Sequence, residues 1–459
     1  MQLYHYRSIS AALKEIGDRT FHFAARNELN DPIEGFVHVY WQGDKAAWEG
    51  LFRNYICSLH QGIELYLLRG NEELLHHQTM VIDIHAFDEV PCGAIWKKIG
   101  DQFLTDKTIQ KLSSFYGNNY LKVTEVELRL ILQFIQKSAL TICIQSCIDN
   151  KTIPDEEGKR LLAILNSEDP HFPFELMEAA VSDEQHRKTI IKTAEDMIED
   201  IRELQYIRFG FDDETFLYGG QKITTDARKR RDWMTISVDF PKVYVDQLRE
   251  MIYPESYTVC FSAKNNDSAM WGNYADCHKG ICLVYDFDDT VVVKDENRTY
   301  KVKPKQVCYN GDPIDRNFFE SFGRLTIPQI KSWLTGSDGI SDCFMAFSDE
   351  NAWRDSYWNA FETKTFRKLK AWEYEQEYRL VLSNSLYTFN TIESRNLKYD
   401  PKVLKGVIFG IRTSEYDKKC IMEELLQWGD ELCDFVFYQA EYDSAEQEIV
   451  VREKNLWKI

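Results

Sequence analysis

The hydrophobic period of this chain changes twice along its length, and that change limits the possible folds more than any other feature. From about residue 45 to 210 apolar residues recur at helical spacing, while the flanking stretches carry short β-rich runs. Thr124 and Glu127 form a capping-box pattern ahead of Val126, Leu128, Leu130, Ile131, Leu132, Phe134 and Ile135, and the apolar run continues to about Ile148. Ile153 to Gly158 reads as a loop leading into another helix, and Pro170 to Pro173 as a break. Ser182 with Gln185 opens a further stripe of Ile190, Ala194, Met197, Ile198, Ile201 and Leu204. On the amino-terminal side, Gln2 to Arg7 alternates as a strand, Ile9 to Ile16 reads as a helix closed by Gly17, and Thr20 to Ala24 resumes a strand. Past about residue 235, Tyr257 to Ser262, Gly280 to Phe287, Tyr300 to Tyr309, Tyr378 to Leu382 and Lys405 to Ile411 are strand-like. The pattern predicts an α+β chain whose two ends, 1–44 and 235–459, meet in one sheet, with 45–234 as a mostly α-helical insertion.

Charge narrows the function classes. A formal balance of −19 argues against broad contact with nucleic-acid phosphates or anionic membranes. Arg228-Lys229-Arg230-Arg231, the one basic run, reads as a solvated loop or helix end. The 11 cysteines have no paired spacings and read as buried thiols of a reducing cytosol. Cys277-His278 with Cys282 lacks a second pair at zinc-finger spacing, so no metal site is expected. No signal-peptide core is present, and no window approaches the roughly 18 apolar residues of a membrane span. The expectation is a soluble, cytoplasmic protein.

The densest charge pattern is AWEYEQEYRL, residues 371–380. Read as a strand, it puts Glu373, Glu375, Glu377 and Arg379 on one face and Trp372, Tyr374, Gln376, Tyr378 and Leu380 on the other. Same-face neighbours sit roughly 6.6 Å apart, so adjacent carboxylates repel by about 2.5 kcal/mol at an effective dielectric of 20. Such a row is solvated on an edge strand, paired with cations, or used by a ligand; Glu373 is the best candidate for plain solvated charge.

Three other stretches carry chemistry. In LYHYRS, Leu3, His5 and Arg7 share one strand face and Tyr4 and Tyr6 the other; His5 is either a hydrogen-bonded core residue or a donor to a sugar hydroxyl. Asn30-Asp31-Pro32-Ile33-Glu34 is a turn bearing two carboxylates. In CFSAKNNDSAMWGNYADCHKGICLVYD, a strand ends at Ser262, Asp267 or Ser268 caps a helix, Met270, Trp271, Tyr274 and His278 fall at helical spacing, and Gly280 ends it. Trp271 and Tyr274 lie one turn apart, as a packing face or as two aromatic faces for a planar ring. Glycine-rich phosphate loops, zinc-protease helices and nucleophile elbows are missing.

Taken in order, LYHYRS, NELNDPIEG, CFSAKNNDSAMWGNYADCHKGICLVYDF, KLKAWEYEQEYRLV and LKGVIFGI resemble the bacterial domain-of-unknown-function family 2971, over about residues 1–40 and 255–415. The motif layout is also similar to that of ADP-ribosyltransferases, which implies a split β-sheet core and NAD as substrate. By that resemblance His5 holds the nicotinamide ribose, Ser262 or Tyr274 supports or stacks on nicotinamide, Glu377 is catalytic and Glu375 precedes it. Tyr6, Trp271 and Arg379 fall in the cofactor-binding set, with Asn30, Asp31 and Glu34 in support. CFS departs from the Ser-Thr-Ser of one transferase class, and Tyr274 stands alone where another has paired tyrosines. The implied activity is ADP-ribose transfer to a macromolecular acceptor, or NAD hydrolysis, in a toxin or phage-defence effector, with the helical insertion available to a partner protein. Two alternatives stay open. One is a nuclease holding a divalent metal on Asp31, Glu34, Glu375 and Glu377, and the other is a non-catalytic nucleotide sensor.

Overall fold

The computed structural model describes residues 1–31, 33–69, 93–167, 188–189, 191–193, 196, 215–218, 221–224, 235–309, 314–384, 389, 391–432 and 434–454. The helix expected after Ser182, the break at Pro170 to Pro173 and the basic run at 228–231 lie outside the described residues. The chain forms an α+β structure of two compact units. Met1–Val37, Pro254–Ile314 and Trp358–Ile459 make a β-rich unit, and His38–Tyr253 with Asp315–Tyr357 make a helical one.

The β-rich unit is built on an eight-stranded sheet. Its strands are β1 (Gln2–Arg7), β2 (Ser256–Ser262), β3 (Ile281–Asp286), β4 (Lys305–Gln306), β5 (Glu377–Ser383), β6 (Leu404–Phe409), β7 (Val436–Asp443) and β8 (Glu448–Lys454). They lie in the order β4-β5-β2-β1-β3-β6-β7-β8, antiparallel except for β6 against β7. β3 reads as the continuous apolar run ICLVY because its first five residues are all buried, on both faces of the sheet. One face packs Leu3, Phe261, Leu283, Tyr285 and Val407 with Phe21, Val293, Leu397 and Tyr399, residues of a second, four-stranded sheet. The other face carries Tyr6, Cys282, Val284 and Ile408 under Met270 and Trp271 of the short helix Ser268–Tyr274.

Three local features differ from the sequence reading, each for a physical reason. The first helix, α1 (Ile9–Asp18), is capped by the Ser8 hydroxyl, runs through Gly17 and ends at left-handed Arg19. The run Tyr300 to Tyr309 divides around Pro304: Thr299–Val302 joins the four-stranded sheet and Lys305–Gln306 the larger one, since proline donates no ladder hydrogen bond. The helix before β3 stops at Tyr274, and Asp276, Cys277 and His278 all take positive φ (45°, 52° and 70°). Their amides are used locally, Cys277 N–H bonding Gly272 O and His278 N–H bonding Trp271 O. That turn costs roughly 1–2 kcal/mol per residue in intrinsic backbone energy. Gly280 closes it because nothing larger fits: a Cβ there would stand 2.1 Å from the Arg7 carbonyl oxygen. Gly280→Ala is therefore expected to destabilise the β-rich unit by about 1–3 kcal/mol, measured by urea unfolding; an unchanged midpoint would show the contact to be loose.

In the helical unit Lys45–Arg69 packs against Gly93–Leu104, Lys107–Asn118 and Glu125–Asp149 around Trp48, Phe52, Tyr55 and Tyr116. The Thr124 hydroxyl accepts the Glu127 amide, as its capping pattern predicts. Glu125–Asp149 corrects the membrane-span expectation, since it is long and apolar enough to cross a membrane by length and composition. Within the unit it buries Leu128, Ile131, Leu132, Ile135 and Ile144, and its buried Gln136 amide donates to the Ile236 carbonyl. The nine described cysteines are free thiols; Cys277 and Cys308 are exposed, against the expectation of buried thiols.

Candidate functional site

AWEYEQEYRL is not one strand. Residues 370–375 form a 3-10 turn, Gln376 is left-handed (φ 43°, ψ 54°), and β5 begins at Glu377. The charged row is thereby broken: Glu373 is exposed, while Glu375, Glu377 and Arg379 are buried. The kink is held from β2, with Ser262 Oγ donating to the Glu375 carbonyl at 2.7 Å and the Ala263 amide donating to Gln376 O at 3.0 Å. β5 is also an inner strand, flanked by β2 and β4, so a solvated edge does not explain its charges.

The buried charges meet those of the turn after Asn30 and one lysine. Arg379 pairs bidentately with Glu377 (Nε to Oε1 2.7 Å, Nη2 to Oε2 2.9 Å), reaches Glu34 Oε1 at 2.6 Å, and donates Nη1 to the Thr365 carbonyl at 2.6 Å. Lys368 Nζ lies 2.7 Å from Glu375, 3.4 Å from Glu377 and 3.6 Å from Glu34. The five side chains are 2–5% exposed. Burying them is tolerable because every charge has a partner of opposite sign, and bidentate Arg–carboxylate geometry is the strong form of that pairing. Tyr309 OH accepts the Glu377 amide at 2.8 Å. Towards solvent, half-buried Tyr274 donates its hydroxyl to Glu375 Oε1 at 2.6 Å, and exposed Asn30 donates to the Tyr274 oxygen.

Three carboxyl groups against two cations give the cluster unequal protonation behaviour. Burial raises Glu377's pKa, but Arg379 and Lys368 overcome it and hold the group down at about 2. Burial wins for Glu375, whose pKa is raised against the pull of Lys368 and of the Tyr274 hydrogen bond. It also wins for Glu34, where the charge of Glu377 adds to it against Arg379. Burial disfavours the charged forms of Lys368 and Arg379, yet the carboxylates raise both. The linkage follows by sign. Glu377's contribution to stability is complete above its ordinary value of 4.5 and is lost as pH falls through about 2. Those of Glu375 and Glu34 are complete below 4.5 and are lost as pH rises through their raised values. Urea unfolding across pH is expected to show stability falling above pH 4.5, with a smaller fall in Glu375→Gln; parallel profiles would count against the raised Glu375.

The structure brings together Asn30, Asp31, Glu34, Tyr274, Glu375, Glu377 and Arg379. It does not bring His5. In antiparallel ladders opposed residues share a face, so Tyr4, Ser262 and Glu377 lie abreast on one face of the sheet, and His5 points to the other. There its Nδ1 meets Glu15 at 3.1 Å beside Phe261, and burial lowers its pKa. Tyr6 and Trp271 are core supports: Tyr6 OH donates to Lys264 O, Trp271 Nε1 donates to Asn265 O, and their rings meet edge to face. Ser262 is spent on backbone partners, the Glu375 carbonyl and the Lys264 amide. Lys368 and Tyr309 were not legible as site residues, since nothing local distinguishes Lys368 from the neighbouring Arg367 and Lys370.

No curated protein and no solved structure matches the chain. Residues 270–380, which hold Tyr274, Tyr309, Lys368, Glu375, Glu377 and Arg379, match the family described as Protein of unknown function (DUF2971), the family that the motifs resemble.

Proposed function

We propose that the chain binds NAD and breaks its nicotinamide–ribose bond, passing ADP-ribose to a macromolecule or to water, in the cytoplasm and as a toxin or phage-defence effector. One observation carries this reading. Two carboxyl groups on either side of left-handed Gln376 are set to opposite protonation behaviour, Glu377 held ionised and Glu375 raised, with Asn30 and Tyr274 leading from solvent to Glu375. Environments that push two carboxyl groups apart are how acid–base roles are divided in glycosidic chemistry. In the reaction the C1′–N bond breaks, its electron pair leaves with the ring nitrogen, and nicotinamide departs neutral. The sugar carries the positive charge until a lone pair of the acceptor bonds C1′, and the acceptor's proton passes to Glu375. Glu377, ionised at every working pH, supplies a fixed negative potential at no reorganisation cost. The junction of β2 with β1, which meet only at Tyr4 and Ser262 while Ala24 bridges Thr258, supports the split sheet of the ADP-ribosyltransferase layout. His5 has no role here, and the helical unit offers surface to an acceptor or a partner protein.

A second reading, a non-catalytic nucleotide sensor, is favoured by the complete pairing of Glu377 with Arg379. The nuclease alternative is weakened because Lys368 and Arg379 occupy three of its four carboxylates, Glu34, Glu375 and Glu377. Incubation with NAD, followed by mass spectrometry of the dinucleotide and of protein and nucleic-acid acceptors, separates the readings. Free nicotinamide is expected; NAD bound but unchanged indicates sensing, and neither binding nor release overturns the proposal.

A further inference from the structure

Asp31 differs from every other carboxylate of the cluster. Glu34, Glu375 and Glu377 have both oxygens taken by Arg379, Lys368 or Tyr274. Asp31 is 3% exposed, its Oδ1 accepts the Ile33 amide at 3.0 Å, and its carbonyl accepts the Glu34 amide at 3.1 Å. Its Oδ2 is buried and has no hydrogen-bond partner, the one carboxylate oxygen of that kind among the described residues. A buried acceptor left unmatched costs about 1–3 kcal/mol, so its natural complement is a donor on a ligand. The neighbours define the position. Asn30 donates to the Tyr274 hydroxyl, the charge of Asp31 acts on Glu34, and Ile33 (54% exposed) and Leu369 (44% exposed, next to Lys368) give apolar surface beside the charged cluster. With Asp31 the cluster sets four carboxyl groups, Glu377 among them held ionised, against two cations, an acidic setting for a positively charged ring.

We propose that Asp31 is a specificity residue that accepts a hydrogen bond from the carboxamide N–H of the nicotinamide ring, so that the site selects amide-bearing dinucleotides over their carboxylate counterparts. The inference rests on the NAD reading above. The pyridinium carboxamide is the only donor that ring carries. A carboxylate in its place removes the donor and sets acceptor oxygens against each other, the kind of mismatch that sites built for a polar group reject most strongly.

The test compares NAD with nicotinic acid adenine dinucleotide on the full chain, reading released nicotinamide or nicotinic acid by mass spectrometry. The wild type is expected to prefer NAD by at least about 100-fold in kcat/KM. Asp31→Asn keeps an oxygen for the Ile33 amide and puts an N–H2 where Oδ2 stood, so the preference is expected to fall by at least about tenfold, mainly through KM. Equal use of both dinucleotides by the wild type overturns the proposal, as does a folded Asp31→Asn enzyme with an unchanged ratio. If the variant fails to fold, the wild-type ratio still decides. Release of neither base by the wild type sinks the NAD reading itself, a distinct outcome from cleavage without discrimination.

Discussion

Arg379→Met is expected to destabilise the β-rich unit by about 3–5 kcal/mol, the cost typical of removing one partner from a buried ion pair. Arg379 is 2% exposed and its guanidinium serves Glu377 twice, Glu34 once and the Thr365 carbonyl once. Methionine fills much of the same apolar volume, so the loss isolates the charge and its hydrogen bonds from a cavity effect. Lys368 is then left alone against three buried carboxyl groups, and the relief available is to protonate them. The destabilisation should therefore shrink as pH falls towards the range where Glu375 and Glu34 are neutral. Arg379→Lys, which keeps the charge but not the fork, should fall between wild type and Met. Combining Arg379→Met with Glu377→Gln should cost less than the sum of the two, because the second change removes the charge that the first left unmatched. Urea unfolding of the wild type, the three single variants and the double variant checks this; a loss below about 1 kcal/mol for Arg379→Met would mean that solvent reaches the pair and screens it.

Glu375→Gln carries the largest expected effect on activity, a fall in nicotinamide release of at least about 100-fold with the fold retained. The amide oxygen still accepts the Tyr274 hydroxyl, and Lys368 keeps Glu377 and Glu34 within 3.4 and 3.6 Å. Because the pKa of Glu375 is raised, replacing it by a neutral isostere removes less charge stabilisation than the same change at Glu377. The two variants should therefore separate: Glu375→Gln folds and loses chemistry, while Glu377→Gln loses stability along with it. Exposed Glu373, changed to Gln, should leave the rate as it is. A Glu375→Gln protein that releases nicotinamide at the wild-type rate would remove Glu375 from the proposed chemistry.

AWEYEQEYRL shows how far local pattern reaches. Alternation placed Glu377 and Arg379 on one face, and they are there, because β5 obeys the two-residue period from its first residue. The same alternation extended back to Glu373 and Glu375 fails at Gln376, whose left-handed backbone reverses the pattern. That kink depends on Ser262 and Ala263, more than 100 positions earlier in the chain, and no local pattern carries it. His5 fails differently. Its alternation with Tyr4 and Tyr6 was legible, but which face held the carboxylates depended on the register Tyr4 to Ser262 to Glu377.

The sequence by itself determined what short-range physics controls: helices where apolar residues recur at 3.6, strands where they alternate, and the Ser8, Thr124 and Asp267 caps whose partners lie two or three residues away. It also concentrated carboxylates beside an arginine. Only the tertiary structure decided that residues 315–357 group with the helical unit and that Tyr300 to Tyr309 serves two sheets. Only it brought Lys368 and Glu34 to Glu377 and Arg379, turned His5 away and left Asp31 Oδ2 unmatched. The reason is the range of the forces. Helix and strand periods are set by neighbours within a turn or a pleat, while strand register and buried ion pairing join residues hundreds of positions apart.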